Sequence, residues 1–248
     1  MPFTGEKIIY YSKCESTNTI ALNLATTQQV CEGTVLITDE QTKGRGQRGS
    51  QWVTCPYQNL TFSILFYPTF LPLQDAFFLY IISALGICEA LLPGIQHGLS
   101  IKWPNDIYFL DKKLGGILIE NVVQGDVMKA SVIGVGLNVN QTTFTDLPGA
   151  TSLAAITSER FSLPALLAQL TAGIEKQYSR LRQHQLHALK QDYLRHLYGL
   201  HTISTFQDQQ GRFQGVIQGI DDSGRLVIDA LEQGLKYYTA KEVAYVTS

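Results

Sequence analysis

A glycine-rich segment with two arginines is the part of this chain best suited to chemistry. It reads Gly44-Arg45-Gly46-Gln47-Arg48-Gly49-Ser50-Gln51-Trp52. Glycines let backbone N–H groups approach a ligand closely, and each arginine offers a planar, permanently charged group that matches phosphate oxygens in pairs. The spacing fits neither a P-loop nor the Gly-x-Gly-x-x-Gly motif of dinucleotide-binding folds. The segment therefore predicts an anion-binding loop of another kind.

A second motif, Lys102-Trp103-Pro104-Asn105-Asp106, follows further along the chain. Proline fixes its own φ and biases Trp103 toward an extended conformation, which holds Lys102 and Asp106 at a set angle. A lysine is a compact charge on a flexible stem, suited to the junction between a carboxylate and an α-phosphate. Together the two motifs indicate an enzyme that activates a carboxylic acid with ATP. The alternative is that Lys102 ends an edge strand and that Asn105 and Asp106 form an Asx turn.

The chain resembles the biotin protein ligase family in five motifs, which occur in the family's order. The first two are the loop and the lysine motif above, and the third is Gly-Gly-Ile-Leu-Ile-Glu at 115–120. The others are Gly-Val-Gly-Leu-Asn-Val-Asn at 134–140, and Ser-Thr-Asn at 16–18 together with Gln41. A single short motif is only a hypothesis. Five in order make the chain similar to this family over nearly its whole length.

The resemblance implies two sets of binding residues. The biotin set is Ser16, Thr17, Asn18, Gln41, Gly44, Arg45, Gly46, Gln47, Lys102, Gly115 and Gly116. The nucleotide set is Arg45, Arg48, Trp52, Lys102, Asn105, Lys113 and Asn138. Lys102 and Arg45 are the implied catalytic residues, and Asp106 is the candidate ligand for Mg²⁺.

The residue types suit these roles, although each has a structural alternative. A ureido ring has one carbonyl and two N–H groups, so small polar side chains can bind it. Ser16 and Thr17 can also cap a helix, and both roles are compatible. Trp52 can stack on adenine or be an ordinary partly buried aromatic residue. Arg45 and Arg48 can bind phosphates or lie in a solvated loop, and Lys113 can bind a phosphate or lie in a solvated turn.

The implied reaction has two steps. Biotin reacts with ATP and Mg²⁺ to give biotinyl-5′-AMP and pyrophosphate, and a lysine of an acceptor domain then takes the biotin. The implied acceptor is the biotin carboxyl carrier domain of acetyl-CoA carboxylase or a related carboxylase, met by strand pairing at a sheet edge. Two alternatives are a lipoate or octanoate ligase and a non-catalytic biotin sensor.

Two features set this chain apart from some relatives. Gln47 stands where many family members have arginine, which leaves open how tightly the acyl-adenylate is retained. Fewer than twenty residues precede Ser16, so a winged helix-turn-helix domain and a DNA-binding role are not expected. The family analogy allows a monomer or a homodimer.

Composition excludes several other classes of protein. The net charge is −2, with no run of lysines or arginines, which argues against sequence-independent nucleic-acid binding. The cysteines Cys14, Cys31, Cys55 and Cys88 lie far apart, as expected of free thiols in a reducing compartment. Residues 1–7 lack the pattern of a signal peptide, so a cytoplasmic location is expected.

Two local patterns have alternative interpretations that are less favoured. The apolar run 76–88 is shorter than the ~20 residues that a bilayer requires, so it predicts a core helix rather than a membrane span. Four histidines are close in sequence but lack a further ligand at a recognised metal spacing. They are His184, His187, His196 and His201.

The remaining patterns predict an α+β protein. Strands are expected at 7–11, 34–38, 60–67, 100–103, 107–110, 117–123 and 129–139, and helices at 18–28, 74–92 and, as a pair, within 163–196. Short turns imply antiparallel neighbours, because parallel strands need long crossovers. The family fold is a class II synthetase-like core with a central mixed or antiparallel sheet flanked by helices. The expected domains are a catalytic domain at 1–198 and a small SH3-like β-barrel at 199–248.

Overall fold

The computed structural model of the chain describes residues 4–27, 30–95, 97–145 and 147–246, without the side chain of Arg48. Twelve strands and five helices are assigned in these ranges. The strands are β1 (Ile8–Cys14), β2 (Val35–Gln41), β3 (Leu60–Phe66), β4 (Leu99–Lys102), β5 (Asp106–Phe109), β6 (Lys112–Gln124), β7 (Val127–Leu137), β8 (Ile203–Asp208), β9 (Gly211–Ile220), β10 (Leu226–Ala230), β11 (Gly234–Tyr238) and β12 (Ala244–Tyr245). The helices are α1 (Thr17–Thr26), α2 (Phe78–Leu91), α3 (Leu153–Thr157), α4 (Leu163–Arg182) and α5 (Leu186–Arg195).

The larger sheet has seven strands in the order β1-β2-β3-β7-β6-β5-β4. Only β1 and β2 run parallel, joined by a crossover that contains α1, and the other neighbours are antiparallel. Every residue of β3 is buried, in agreement with a strand sequence that is rich in Phe and Ile. The long β6–β7 hairpin turns at Gly125, whose φ of 58° favours glycine. The predicted α+β class with a central mixed sheet is confirmed.

Several predicted boundaries were displaced. The helix expected at 74–92 begins only at Phe78, after a separate 3₁₀ turn at Leu73–Asp75. Strand β6 begins at Lys112 rather than 117, because the chain turns at Leu110, which has a positive φ of 51°. Helix α1 spans Thr17–Thr26, and residue 28 of the predicted helix lies outside the described residues.

Helix α2 is the central helix of the core. By length and composition alone, Leu73–Leu91 could cross a membrane. In the fold it packs instead between the large sheet, α4 and α5, with side chains such as Leu79, Ile82 and Cys88 completely buried. The interpretation of this segment as a core helix therefore agrees with its packing.

The smaller sheet has five antiparallel strands in the order β11-β10-β9-β8-β12. It belongs to the same hydrophobic core as the large sheet, since Ile107 and Ile217 lie in one continuous buried cluster. The indole N–H of Trp103 donates to the carbonyl of Gly224 at 2.9 Å, which ties the lysine motif to a turn of the smaller sheet. The domain boundary expected between residues 198 and 199 stays a prediction, and contacts of this kind cross it.

Helices α2 and α4 approach closely where two glycines meet. A Cβ on Gly173 would lie 2.4 Å from the carbonyl oxygen of Gly86, a backbone atom that cannot move aside easily. Gly173→Ala should therefore lower the free energy of unfolding by about 1–3 kcal/mol, although alanine stabilises an open helix position by about 1 kcal/mol relative to glycine. Chemical denaturation measures the change. Gly149→Ala is the control, because no atom lies within 4 Å of the added Cβ. Equal stability of the Gly173→Ala variant and the wild type would contradict this packing.

Candidate active site

A cavity of about 470 Å³ lies between the large sheet, the glycine-rich loop and the edge of the smaller sheet. It brings together most of the predicted site residues from both motifs. Those that line it are Ser16, Thr17, Asn18, Gln41, Arg45, Gly46, Gln47, Trp52, Lys102, Asn105, Asp106, Lys113 and Gly116. The wall has more apolar than polar surface, as is usual for a small-molecule site.

Three predicted residues do not line this cavity. Gly44 lines an adjacent cavity, and Gly115 lies in β6 behind the wall, where a Cβ would meet the Gly136 carbonyl at 2.8 Å. Asn138 is buried, and its side-chain amide donates to the carbonyl of Thr151 at 3.0 Å, which fixes the loop after β7. The side chain of Arg48 lies outside the described part of the chain.

Glycines on β7 make room for the side chains above the sheet. A Cβ on Gly134 would lie 2.2 Å from Oδ1 of Asn18, and one on Gly136 would lie 2.2 Å from the indole ring of Trp52. Strand residues with side chains would therefore displace both groups. This explains chemically why the 134–140 motif carries glycines at alternate positions, which face the same side of the sheet.

A polar network occupies the end of the cavity near α1. The hydroxyl of Ser63 lies 2.7 Å from the hydroxyl of Thr17 and 2.6 Å from Oδ1 of Asn18. The backbone N–H of Thr17 donates to Oε1 of Gln41 at 2.9 Å. Ser16 occupies the N-cap position of α1, one of the two positions expected, although its side chain makes no capping hydrogen bond. These side chains form a rigid, buried set of donors and acceptors.

The glycine-rich loop is attached to the sheet through one carboxylate. Glu120 on β6 accepts from Nη2 of Arg45 and from Nδ2 of Asn18, each at 2.9 Å. Arg45 also donates to the hydroxyl of Thr19 at 3.2 Å. Within the loop, the N–H of Gly46 donates to the Ser50 carbonyl at 2.7 Å. The network therefore joins the polar end of the cavity to the cationic loop.

Lys102 lies among aromatic rings instead of beside a carboxylate. Its Nζ is 3.3 Å from the hydroxyl of Tyr108, and it lies 4.6 Å from the centre of that ring and 4.9 Å from the centre of Tyr245. Burial lowers the pKa of Lys102, and the nearby Asp106 opposes that shift. The carboxylate of Asp106 is already paired, because its Oδ1 lies 2.7 Å from Nζ of Lys113.

The hydrogen bonding of Asn105 and Trp52 differs from what the sequence suggested. The side chain of Asn105 donates to the carbonyl of Ile117 at 2.7 Å, so it joins β6 rather than forming a local Asx turn. The indole nitrogen of Trp52 is buried with no hydrogen-bond partner. An unpaired buried donor is costly, and a bound ligand with an acceptor can satisfy it.

Sequence reasoning missed several residues of this site. Ser63 had one signal, a hydroxyl within an otherwise apolar strand, and Glu120 was part of a matched motif without an assigned role. Two further residues line the cavity, Lys241 in the connection between β11 and β12 and Tyr245 on β12. Nζ of Lys241 donates to the backbone carbonyl of Gln47 at 2.8 Å. These two residues had no local signal, because only the docking of the two sheets brings them to the loop.

Asp106 is the acidic residue among those lining the cavity. In the described ranges, no group of three or more His, Cys, Asp or Glu side chains could hold a metal ion, and the four histidines form none. Mg²⁺ is commonly held by one or two carboxylates together with substrate phosphates. One carboxylate beside several cationic side chains fits that arrangement.

Comparison with known proteins gives consistent matches. Residues 10–138 match the model of the biotin/lipoate A/B protein ligase family. The chain is 30% identical over 241 residues to the bifunctional ligase/repressor BirA of Bacillus subtilis, covering 95% of this chain and 73% of that protein. It is 28% identical to the biotin–[acetyl-CoA-carboxylase] ligase of Paracoccus denitrificans, covering 88% and 92% of the two chains. The biotin protein ligase of Aquifex aeolicus in complex with biotin and ATP superimposes with a TM-score of 0.81 and 27% identity, covering 98% and 100% of the two chains.

The packing of Asn18 against Gly134 can be tested by substitution. Gly134→Ala should push the Asn18 amide out of its network and weaken the binding of biotin, the ligand implied by the sequence, by roughly tenfold or more. Isothermal titration calorimetry measures the dissociation constant. Ser131→Ala on the same strand is the control, because it removes a buried hydroxyl that has no partner. Biotin affinity unchanged in the Gly134→Ala variant would show that Asn18 is not part of the site.

Proposed function

This chain belongs to the biotin/lipoate A/B protein ligase family, and on that premise we propose that it is an ATP-dependent biotin protein ligase acting in the cavity described above. The observation that carries the proposal is that one cavity is lined both by residues of a polar network and by a set of cationic side chains. Thr17, Asn18 and Gln41 line the cavity as the first, with the buried Ser63 bonded to Thr17 and Asn18, and Arg45, Lys102 and Lys113 belong to the second.

In the first step, a carboxylate oxygen of biotin attacks the α-phosphorus of ATP. An oxygen–phosphorus bond forms, and the bond from the α-phosphorus to the bridging oxygen breaks, releasing pyrophosphate. Negative charge grows on the leaving group, so fixed cations accelerate the step. Arg45 reaches the cavity from the loop and Lys102 from the end of β4, which brings the two anionic substrates together. Lys113 supplies a further positive charge.

Mg²⁺ belongs to this proposal as the usual companion of ATP. Asp106 would hold it together with the phosphates, and the ion would supply additional charge neutralisation. Asp106 pairs with Lys113 at 2.7 Å in the structure. That pair would exchange partners when ATP binds, with the lysine turning to a phosphate.

In the second step, the amine of an acceptor lysine attacks the carbonyl carbon of biotinyl-AMP. An amide bond forms, AMP leaves, and the amine loses a proton. The proposed acceptor is the biotin carboxyl carrier domain of acetyl-CoA carboxylase, in line with the name of the Paracoccus relative. Strand β1 is an edge of the large sheet with exposed Ile8 and Tyr10, and this edge could accept a strand of the carrier.

The polar network favours biotin over lipoate or octanoate. The ureido ring of biotin has two donors and one acceptor that could hydrogen-bond to Thr17, Asn18 and Gln41. A dithiolane ring or an alkyl chain lacks these groups and could not make such hydrogen bonds. A non-catalytic sensor would need biotin-binding groups but not Arg45 and Lys102 in the same cavity.

The surroundings of the enzyme also remain proposals. A cytoplasmic location is proposed from the four free cysteines, of which Cys88 is completely buried. The net charge of −2 supports a protein that does not bind DNA. Either a monomer or a homodimer is compatible with the proposed reaction.

Removing the charge of Lys102 should abolish the first step. Lys102→Met keeps the length of the side chain and should slow biotinyl-AMP formation by roughly 100- to 1,000-fold. The measurement is mass spectrometry of single-turnover reactions with Mg-ATP and a mixture of biotin, lipoate and octanoate, followed by addition of a carrier domain.

Lys112→Met is the matched control, because Lys112 is exposed on β6 and does not line the cavity. Adenylate formation by Lys102→Met at the wild-type rate would contradict the role of Lys102. Formation of a lipoyl or octanoyl adenylate in place of biotinyl-AMP would move the protein to the alternative branch of the family. Bound biotin without any adenylate would favour the sensor.

The burial of Lys102 predicts a pH dependence that differs between the steps. Burial lowers the pKa of Lys102. Its charge is therefore lost at a lower pH than the charge of a free lysine, whose pKa is about 10.4. Adenylate formation should therefore fall as the pH rises through this pKa. Transfer from preformed biotinyl-AMP should rise over the same range, because the acceptor amine must be neutral. Lys102→Arg should shift the alkaline decline upward, since arginine stays charged. A decline at the same pH in the two proteins would exclude Lys102 as its cause.

A further inference from the structure

Three tyrosines surround the ammonium group of Lys102, and they come from separate parts of the chain. Tyr108 lies on β5, Tyr198 follows α5, and Tyr245 lies on β12 of the smaller sheet. Nζ of Lys102 is 4.6, 5.7 and 4.9 Å from the centres of these rings, in that order. All three distances lie within the range of cation–π attraction. We refer to Tyr108, Tyr198 and Tyr245 as the tyrosine cage.

Hydrogen bonds and ring contacts fix the cage. The hydroxyl of Tyr245 donates to the carbonyl of Tyr198 at 2.9 Å, and the hydroxyl of Tyr198 donates to Oδ1 of Asp111 at 2.6 Å. The ring of Tyr198 lies 5.3 Å from that of Tyr245 and 5.7 Å from that of Tyr108. Ring faces held in this way give Lys102 a defined position, which a flexible lysine stem cannot set by itself.

The cage attracts the ammonium group without neutralising it. Burial raises the pKa of Tyr108 to about 12, and the hydrogen bond to Asp111 raises that of Tyr198 to about 12, so both rings are neutral at physiological pH. Burial also raises the pKa of Tyr245. A carboxylate partner would compete with the substrate anions for the lysine, whereas neutral rings hold a cation by a weaker, electrostatic attraction.

We propose that Tyr245, acting with the other tyrosines of the cage, is a positioning residue that holds Lys102 at the cavity for adenylate formation. The proposal rests on the proposed function of Lys102 in the first step. It gives the smaller sheet a direct part in the reaction, since Tyr245 lines the same cavity. The lysine leaves its contacts with the rings when the biotin carboxylate and the α-phosphate arrive, and the cage limits the conformations from which it starts.

The test uses three variants of the full chain. Tyr245→Leu removes the ring, and Tyr245→Phe keeps the ring but loses the hydroxyl. Phe213→Leu loosens the core of the same sheet, where Phe213 stacks on Phe206 at 5.7 Å without lining the cavity. Each variant is measured for single-turnover biotinyl-AMP formation at saturating ATP and biotin, for transfer from preformed biotinyl-AMP, and for thermal stability.

Tyr245→Leu should slow adenylate formation by roughly five- to thirty-fold, the loss expected for one partly desolvated cation–π contact. Transfer from preformed biotinyl-AMP should be unchanged. Tyr245→Phe should restore the rate of adenylate formation to within about twofold of the wild type, because the ring face remains. Phe213→Leu should lower thermal stability and leave both rates unchanged.

A spectroscopic measurement reports the cage without relying on activity. In protein labelled with ¹³C at the lysine ε-carbons, the Lys102 methylene protons should show an upfield ring-current shift, assigned by its absence in Lys102→Met. Tyr245→Leu should reduce this shift and Tyr245→Phe should retain it. Addition of biotin and a non-hydrolysable ATP analogue should move the signal toward that of an exposed lysine.

The experiments distinguish a failure of the proposed function from a failure of the proposed role of the tyrosine cage. If the wild type forms no biotinyl-AMP, the proposed function is wrong. If the wild type is active and Tyr245→Leu is equally fast, or retains the full ring-current shift, only the cage is wrong. If Tyr245→Leu slows both steps to the same extent and Phe213→Leu does the same, Tyr245 has a structural role in the sheet and not a positioning role.

Discussion

Concentrating positive charge around one cavity is the constraint on which this structure depends. Like charges in a partly buried site repel one another and lose hydration. In this cavity each cation has a partner, and the strength of the interaction differs from one cation to the next. Arg45 pairs with Glu120, Lys113 pairs with Asp106, Lys102 lies against tyrosine rings, and Lys241 donates to the carbonyl of Gln47. A triphosphate and a carboxylate can replace these contacts, because each ion pair is partly exposed and therefore weak.

The partners come from distant parts of the chain, and this explains the arrangement of the fold. The large sheet supplies the carboxylates on adjacent strands β5 and β6, together with the glycines of β7 that leave space above it. On the other side, Tyr245 on β12 and Lys241 in the connection before β12 complete the lining. The bond from Trp103 to the Gly224 carbonyl holds the two sheets together beside Lys102. Two sheets with one continuous core can hold such a cavity at a fixed width.

The sequence predicted the parts of this site that carry local signals. Strand β3 was recognisable from its Phe and Ile residues, and the loop and the lysine motif were recognisable from glycine, proline and charge. The contacts of Tyr245 and Lys241 were not predictable, since they depend on how two sheets dock. Asn138 was predicted as a site residue from its motif, but it does not line the cavity. Its side chain instead bonds to the carbonyl of Thr151 and fixes that loop. The start of β6 was displaced because Leu110 adopts a positive φ, which leucine rarely does.

The most direct test is a crystal structure of the chain with biotin and a non-hydrolysable ATP analogue bound. The account predicts the ureido ring beside Thr17, Asn18 and Gln41, and the phosphates between Arg45, Lys102 and Lys113. The Asp106–Lys113 pair should be separated and Lys102 should have turned from the tyrosine cage toward the carboxylate. Phosphates bound elsewhere, with these cations still on their present partners, would contradict the central claim that the two substrates replace the partners of the cations in this cavity.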